Sequence, residues 1–599
     1  MSGNFLGGFA AVVTLVGLAM FLCFRRSTAF GLLLLAAGAL LTGCSAKHYR
    51  RSADSEVYRM LQAYESRIFG VTNEFTVDTK YSSREPKSIS PMEVIEDRSA
   101  TNVRVLNLNE VLNLAIRNSR DYQAQKEQLY LTALTLTGSE YDFGPQFFAN
   151  SEGRIAGLGD RVGSGSINSQ VGVSQLLRTG GQLSLALGND LIRYFTSYSG
   201  DPDYRSTAIN VLSVNFTQPL LRGFGVNDPR VENLTQDERN VIYAIRSFSL
   251  YQQSFALDVV DAYFALLTQK DIVRNNYRDF TNRVETTRYL EARAIDRERK
   301  SDVDDARTAE LSARRDYINS VAAYLTAMDG FKLRIGVPIS ERIYVDDKDL
   351  RDLIAAGLIP VEIDKDAAFK ICLEKQMDVL NAIDRFEDSK RKVRVSADQL
   401  RTQLGIFGTA TLASNGPDDY TKFDVSTIRY TAGLTLDLPV DRLRERNVYR
   451  STLISFESQL RSLSLTLDNY RDRINRGLRT VEQARLNILN NQESLRVAQR
   501  RVDNNAMLLE AGRATIRDLR EAQDSLIQSE NQLATSYTVY LSARLGVVLD
   551  VGLVDTRPDN FWLLDQFKDK LSPEQRGAPA LRMPDDHALP PETFLEPTI

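Results

Sequence analysis

The stretch LRSLSLTLDNYRDRINRGLRTVEQARLNILNNQESLRVAQRRVDNNAMLL, residues 460–509, has an apolar residue at every seventh position. These positions run from Leu460 to Leu509, and each holds leucine, isoleucine or valine. A strict heptad predicts long helices that wind around one another in a left-handed supercoil. No proline lies between Pro439 and Pro558. Residues 441–509 are therefore expected to form one helix of roughly 100 Å, at 1.5 Å per residue.

The first half of the chain has a similar arrangement. It also lacks proline between Pro229 and Pro338 and places apolar residues seven apart from Val259 to Phe280. Segments of the two halves match in order, which indicates an internal duplication of helix, strands, helix, turn and helix. The offset falls from 257 (375 minus 118) to 220 (434 minus 214), so the first half holds 37 additional residues (257 minus 220) between helix and strand. The matched segments are residues 118–124 with 375–381, 214–219 with 434–439, and 301–306 with 517–522.

Short alternating segments precede the long helices. Residues 404–412 and 427–438 place apolar residues at every second position, which predicts strands with one apolar face. Residues 171–175 and 183–187 flank a glycine turn and predict a hairpin inside an insertion at about 157–206. This hairpin either widens a barrel wall or extends as a surface hairpin. Roughly four to six strands cannot close a membrane barrel, because even small barrels need about eight, so the chain is expected to oligomerise.

The amino end has the features of an exported protein. Arg25 and Arg26 precede an apolar run over residues 29–41, which predicts a signal peptide over residues 1–43. We expect translation to start at Met20, because residues 1–19 precede the charged region of that signal. The alternative is a pair of membrane helices, of which the second would be short for a bilayer.

The end of the signal, Leu41-Thr-Gly-Cys44, resembles the bacterial lipobox. This resemblance implies that Cys44 carries a lipid anchor of acyl chains such as palmitate. Each buried methylene contributes about 0.8 kcal/mol, so several chains hold firmly. By the same resemblance, Ser45 in place of Asp implies sorting to the outer membrane.

Composition excludes several classes of function. Lys plus Arg number 74 and Asp plus Glu number 78, so no basic surplus indicates a nucleic-acid partner. The two histidines, His48 and His587, have no ligand cluster beside them, so no metal, cofactor or catalytic site is expected. Cys372 is expected to be a small buried apolar residue. The chain is therefore not expected to be an enzyme.

Together these features resemble the TolC-type outer-membrane efflux proteins over residues 108–553. The resemblance implies three chains that share one transmembrane β-barrel and one periplasmic α-helical tunnel. It also implies a passive exit duct for efflux or type I secretion, with a periplasmic adapter and an inner-membrane pump as partners. The motifs that carry it are Gln218-Pro-Leu-Leu-Arg-Gly-Phe-Gly225, Asp261-Ala-Tyr-Phe-Ala-Leu-Leu267 and Glu510-Ala-Gly-Arg-Ala-Thr-Ile-Arg-Asp-Leu519.

In that family the tips of the helical hairpins gate the tunnel. Acidic residues near a threefold axis would repel one another unless cations or nearby arginines bridge them. The same residues could instead be solvated helix ends. The first tip, residues 291–300, lacks the family's usual glycine, which leaves adapter docking open. The candidate gate residues are Asp518 and Glu521, their counterparts Asp302 and Asp305, and the neighbouring Arg513, Arg517 and Arg520.

The expected architecture is mainly α-helical, with a β-barrel portion contributed by each half. The alternative is a periplasmic coiled-coil scaffold or adapter lipoprotein without a pore, and the alternating strands argue against it. The expected segments are a signal peptide over 1–43, a lipidated extension over 44–107, a first repeat over 108–338, a linker over 339–364, a second repeat over 365–553 and a partly disordered tail over 554–599.

Overall fold

A computed structural model of the chain describes residues 46–70, 74–99, 101, 103–158, 161–194, 206–293, 299–414, 422–438, 440–568, 570–572 and 575–577. The expected signal peptide, Met20 and Cys44 lie outside these residues. The chain divides into two compact units, residues 1–63 and 64–599. The described part of the first unit, residues 46–63, lies in the first helix, and the remaining elements belong to the second unit.

The helices and strands of the described residues are named here in chain order. The helices are α1 (Ala46–Phe69), α2 (Pro91–Ser99), α3 (Leu108–Asn118), α4 (Arg120–Phe143), α5 (Pro229–Arg293), α6 (Lys300–Arg334), α7 (Lys348–Ala356), α8 (Lys365–Lys375), α9 (Met377–Asp398), α10 (Leu443–Glu510) and α11 (Ile516–Val551). The strands are β1 (Val103–Leu106), β2 (Gln146–Leu158), β3 (Arg161–Leu176), β4 (Gln182–Tyr194), β5 (Ser206–Pro219), β6 (Arg342–Val345), β7 (Gln403–Ala413) and β8 (Arg429–Asp437).

The long helix expected from the heptad is confirmed. α10 has 68 residues, which corresponds to about 100 Å, and it packs along α11 as α5 packs along α6. The heptad residues Ile474 and Ile488 are buried. Gly477 allows a close approach of α11, because a Cβ there would lie 2.7 Å from Cγ2 of Val547.

Another close glycine contact occurs once in each half, where a glycine that follows the last long helix packs against a turn. Gly336 follows α6 with a φ of +75°, and a Cβ there would lie 2.1 Å from the carbonyl oxygen of Asn118. Gly552 follows α11 with a φ of +80°, and a Cβ there would lie 2.9 Å from the backbone nitrogen of Gln376. Both contacts reach the turn between the first two helices of their half. A Cβ at Gly336 would also lie 2.9 Å from the backbone nitrogen of Ser119. The residues involved follow the sequence offsets of the two halves, 216 for the glycines (552 minus 336) and 257 for the turns (376 minus 119).

Six strands form one antiparallel sheet in the order β2-β3-β4-β5-β7-β8. The hairpin expected within the insertion is β3–β4, and it lies inside this sheet. Elsewhere β1 pairs in parallel with β6, so the segment expected to be a linker contributes a strand and then α7. The carboxylate of Asp349 at the start of α7 accepts hydrogen bonds from the hydroxyl of Tyr263 (2.7 Å) and the backbone N–H of Leu108 (3.0 Å). These contacts hold the segment against α5 and α3.

A buried polar network joins α5 to α9. The carboxylate of Asp388, which is 3% exposed, accepts hydrogen bonds from the Tyr243 hydroxyl (2.5 Å), Nη1 of Arg391 (2.6 Å) and Nε2 of Gln236 (3.1 Å). Burial opposes ionisation of this carboxyl, but the hydrogen bonds outweigh it and the pKa of Asp388 lies below its ordinary value. Glu232 accepts from the same arginine. The network therefore satisfies a carboxylate that would otherwise be costly to bury.

The tail begins as ordered structure. Phe561 and Trp562 are buried, and the guanidinium of the buried Arg544 on α11 donates to the carbonyl of Trp562. The expected burial of Cys372 is confirmed, and burial raises the pKa of this thiol to about 12. Among the helices of the described residues, none combines the length and apolar character needed to cross a bilayer.

Candidate functional site

The six-stranded sheet has two chemically different faces. One face presents exposed apolar side chains, among them Phe147 at 81%, Tyr430 at 80% and Leu434 at 69% exposure. The strand register places these residues in rows with the apolar residues of β3, β4, β5 and β7. An apolar row that faces water would be unfavourable by roughly 25 cal/mol for each Å² of apolar surface. The face is therefore suited to lipid.

The opposite face is polar. The alternation of the strands puts charged side chains on this face, including Glu152, Arg154 and Asp190. Arg154 and Glu152 form an ion pair of 3.0 Å within β2. Serine, threonine, asparagine and glutamine fill most of the remaining positions. This face is suited to water.

One polar row crosses the apolar face. It contains Ser151 and Ser169, whose hydroxyls are 2.8 Å apart, and Asn189 and Asn210, whose side-chain amides hydrogen-bond to each other. Polar groups in an apolar environment are costly unless they find partners. The paired arrangement across β2–β3 and β4–β5 supplies those partners.

The turn of the β3–β4 hairpin is fixed to the base of the sheet. The carbonyl of Thr179 accepts hydrogen bonds from the Gln218 side chain and the Gly225 backbone, both at 2.9 Å. Arg230 donates to the carbonyl of Gly180 at 2.9 Å. Gly180 has a φ of +83°, and a Cβ there would lie 2.5 Å from the carbonyl oxygen of Gly223. The turn thus joins the segment that connects β5 to α5.

The long helices form two helical hairpins, α5–α6 and α10–α11. At the end of these helices away from the sheet, the turn between α10 and α11 is closed by backbone hydrogen bonds. The N–H of Gly512, whose φ is +71°, donates to Leu509 (3.0 Å), and the N–H of Arg513 donates to Leu508 (2.8 Å). These two hydrogen bonds form a Schellman motif, which ends α10. Thr515 then begins α11 with a capping box, in which the carboxylate of Asp518 accepts from the Thr515 backbone (2.9 Å) and hydroxyl (2.7 Å).

Asp518 therefore has a local structural role in addition to the gate role expected from resemblance. The hydrogen bonds from Thr515 hold the pKa of Asp518 below its ordinary value. Glu521 lies one turn further on and pairs with Arg501 of α10 at 3.3 Å. Both side chains of that pair are largely exposed, so it contributes little to stability by itself.

The remaining candidate gate residues lie on both hairpins. Asp302 is in the first helical turn of α6. Arg513 is exposed in the loop that joins α10 to α11. Asp305, Arg517 and Arg520 line one small pocket between α6 and α11. Asp305 of the first helical hairpin thus lies in the same pocket as these two arginines of the second. Residues 294–298 of the first turn lie outside the described residues.

An apolar cluster packs the two hairpins together near their tips. Leu290 and Ala306 of the first hairpin contact Ile516 and Leu519 of the second. Val303, Val502, Ala506 and Leu509 pack around these four residues. The ends of the two hairpins are therefore coupled by burial, at roughly 1.5–3 kcal/mol for each fully buried large apolar side chain.

A charged link beside this cluster was missed by sequence reasoning. Arg283 on α5 is 4% exposed; its guanidinium donates to Asp279 on the same helix (2.9 Å) and to Asp524 on α11 (2.7 Å). Burial opposes the charge of this arginine, but the two carboxylates outweigh it and its pKa is raised. Asp279 and Arg283 are four residues apart, which looks like an ordinary surface pair, and Asp524 lies 241 residues away. No sequence pattern indicates that these three side chains lie together.

The described residues hold no group of three or more histidine, cysteine, aspartate or glutamate side chains placed to bind a metal ion. The candidate lipid anchor, Cys44, lies outside the described residues. The candidate site is therefore the two-faced sheet together with the coupled hairpin tips.

The fold of the chain is similar to that of several solved structures. No family model matches the sequence, and no curated protein matches it. Among solved structures, the chain is similar to CusC, described in connection with transmembrane channel formation, with 12% identity, a TM-score of 0.55, and coverage of 74% of this chain and 92% of that chain. It is similar to the outer membrane protein VceC from Vibrio cholerae, with 13% identity, a TM-score of 0.55, and coverage of 74% and 96%. It is also similar to the outer membrane channel CmeC of Campylobacter jejuni, with 13% identity, a TM-score of 0.54, and coverage of 74% and 85%.

At this level of identity, the likenesses establish the fold. The chain has the fold of the TolC-type outer-membrane channels, which confirms the resemblance drawn from its motifs. It is mainly α-helical and carries one large β-sheet.

Proposed function

We propose that three copies of this chain form an outer-membrane exit duct that conducts substrates passively from the periplasm to the exterior. The observation that carries the proposal is the sheet, which has one apolar face, one polar face and two open edges. In a bilayer, an open sheet edge leaves backbone groups without partners, and closure into a barrel removes both edges. A ring of copies would place the apolar face toward lipid and the polar face toward a water-filled pore.

The long helices support the second part of the proposal. Helices of about 100 Å carried below the sheet would continue the pore as a periplasmic tunnel. The apolar cluster and the Arg283 link would hold the hairpin ends closed until a partner separates them. Asp518, Glu521, Asp302 and Asp305 are the candidate charges at this gate, with Arg513 and Arg517 beside them. We propose a periplasmic adapter and an inner-membrane pump as the partners.

The amino end is proposed to hold the trimer at the membrane through lipid on Cys44. The test is incorporation of radiolabelled palmitate into the full chain. Label in the natural protein that disappears in Cys44→Ala would support the anchor. Equal label in both proteins would place any acyl group elsewhere.

The duct is tested with the purified protein in two measurements. The mass of the detergent-solubilised complex, corrected for bound detergent, is expected to equal three chains. Its single-channel conductance in planar bilayers is expected to be measurable and to rise when the tip link is removed by Arg283→Ala. A chain without conductance in both forms would favour the pore-free scaffold instead.

A further inference from the structure

The inserted hairpin occupies a specific place in the sheet. In the second half of the chain, β7 pairs directly with β8. In the first half, β3 and β4 lie between β2 and β5, the strands equivalent to β7 and β8. The pairing of β2 with β3 runs from Gln146 to Leu158, and that of β4 with β5 runs from Gln182 to Arg193. The hairpin is thus hydrogen-bonded on both sides over its length, as wall strands are.

The faces of the hairpin agree with a place in the wall. Leu185 and Leu187 of β4 are aligned across the sheet with Val173 and Val171 of β3, and all four lie in the rows of the apolar face. On the other face, Asp190 is aligned with Asn168. The turn is tied to the junction of β5 and α5 through Thr179 and Gly180, rather than projecting from the far end of the sheet.

The number of strands also suits ring closure. Neighbouring strands are antiparallel throughout, so with six strands the two edges, β2 and β8, run in opposite directions. Identical copies can therefore join β8 of one to β2 of the next as another antiparallel pair. We propose that three copies close in this way into a barrel of eighteen strands, and that the β3–β4 hairpin widens the pore. This inference rests on the proposed trimeric duct.

The register of the junction follows from the repeat. β2 and β7 begin 257 residues apart (403 minus 146). Pro219, the last residue of β5, and Pro439, which follows β8 in the sequence, are 220 apart (439 minus 219). Within the chain, Val214 of β5 pairs with Ala410 of β7. Applying the two offsets, Leu434 of one copy is expected opposite Gly153 of the next. Both lie on the apolar face, as pairing requires.

The consequence for the pore is geometric. Barrel diameter grows roughly in proportion to strand number, and barrels of about 16–18 strands leave an aqueous channel. Without the hairpin, each copy would supply four strands and the ring would have twelve. Six strands in each copy thus widen the barrel by about half and roughly double its cross-section.

Cysteine cross-linking tests the junction in the full chain. Gly153→Cys is suitable because no atom lies within 4 Å of the Cβ it adds. It is combined in turn with Leu434→Cys, Ala432→Cys or Leu436→Cys, which all lie on the same face of β8. Oxidation is expected to link copies strongly only through Leu434→Cys, because diagonal pairs are about 7–8 Å apart and a disulfide needs less than about 7 Å. Linking through another position would overturn the register, and no linking within an intact trimer would overturn the junction.

Removal of residues 161–194 tests the widening. The two remaining stretches of sequence between β2 and β5, 159–160 and 195–205, are together similar in length to residues 414–428, which lie between β7 and β8. Polyethylene glycols of graded mass, added on the barrel side of a planar bilayer, report the width of the barrel independently of the tips. The trimer of the shortened chain is expected to have about half the barrel cross-section. It should therefore exclude polymers that still enter the barrel of the full-length trimer.

An unchanged polymer cut-off would place the hairpin outside the wall and overturn the proposal. If the shortened chain does not assemble, the cross-links in the full chain decide the matter. Failure of the full chain itself to form trimers or pores would instead contradict the duct on which the inference rests.

Discussion

Arg283 on α5 donates to Asp524 on α11 at 2.7 Å, and this ion pair joins the first helical hairpin to the second near their tips. The arginine is buried and also holds Asp279. Loss of one partner therefore leaves a buried charge less well satisfied, which is more costly than loss of an exposed pair.

The first prediction concerns this link. Asp524→Asn is expected to weaken the contact between the hairpins and to raise the time-averaged single-channel conductance several-fold. The matched control is Asp472→Asn, which removes an exposed ion pair with Arg476 within α10 alone. A rise in both variants would indicate a general effect of charge rather than release of the link.

The second prediction separates the two roles of Asp518. Asp518→Ala removes the capping box and is expected to destabilise the first turn of α11 by about 1 kcal/mol, or roughly five-fold faster amide exchange over residues 511–519. Glu521→Gln, one turn away, removes a charge without a cap and should leave exchange unchanged. Equal exchange in the two variants would mean that the cap does not hold the turn.

The third prediction concerns the glycine contact that occurs in each half. Gly336→Ala places a methyl group 2.1 Å from the Asn118 carbonyl oxygen at a φ of +75°. The expected loss of stability is at least about 2 kcal/mol, from backbone strain and overpacking. Gly330→Ala, within α6 and with open space around it, should instead stabilise the helix by up to about 1 kcal/mol. Thermal unfolding followed by circular dichroism compares the two, and a stable Gly336→Ala variant would contradict the contact.

The fourth prediction concerns acid stability. The lowered pKa of Asp388 means that its contribution is present above the unfolded value of about 3.9 and is lost as pH falls through the lowered folded value. Asp388→Asn is expected to cost about 2–4 kcal/mol at neutral pH and to flatten the fall in unfolding temperature below pH 4.

The control for this variant is Glu387→Gln, because Glu387 is the neighbouring residue on α9 but is exposed and pairs with the exposed Lys390 one turn away. It should change neither quantity appreciably. A pH profile of Asp388→Asn that is parallel to that of the natural chain would show that another group carries the acid dependence.

The long helices were predictable because their signal is local and repeated. The heptad from Leu460 to Leu509 and the flanking prolines placed α10 within two residues of its observed bounds. The β3–β4 hairpin was also found from its alternation and glycine turn. Its neighbours were not, because alternation determines which face a side chain takes and carries no information on which strand lies beside it.

At the tips of the helical hairpins, local contacts could be predicted from the sequence and contacts between the two hairpins could not. Thr515 and Asp518 have the spacing of a capping box, so the local role of Asp518 could have been read from the sequence. Arg283 gave no such signal. Its partner Asp524 becomes a neighbour only when two helices from different halves of the chain pack together.

The alternating directions of the strands constrain how such a chain can change during evolution. β5 must end at the base of the sheet, because Pro219 is followed directly by the segment that leads into α5. An insertion of one strand would reverse β5 and carry the long helices to the opposite end of the sheet. Only insertions of paired strands keep the helices in place, so the circumference of the proposed threefold ring would grow only in steps of six strands. In the proposed duct, pore width would therefore change in discrete steps, and one duplicated or acquired hairpin would be enough for one step.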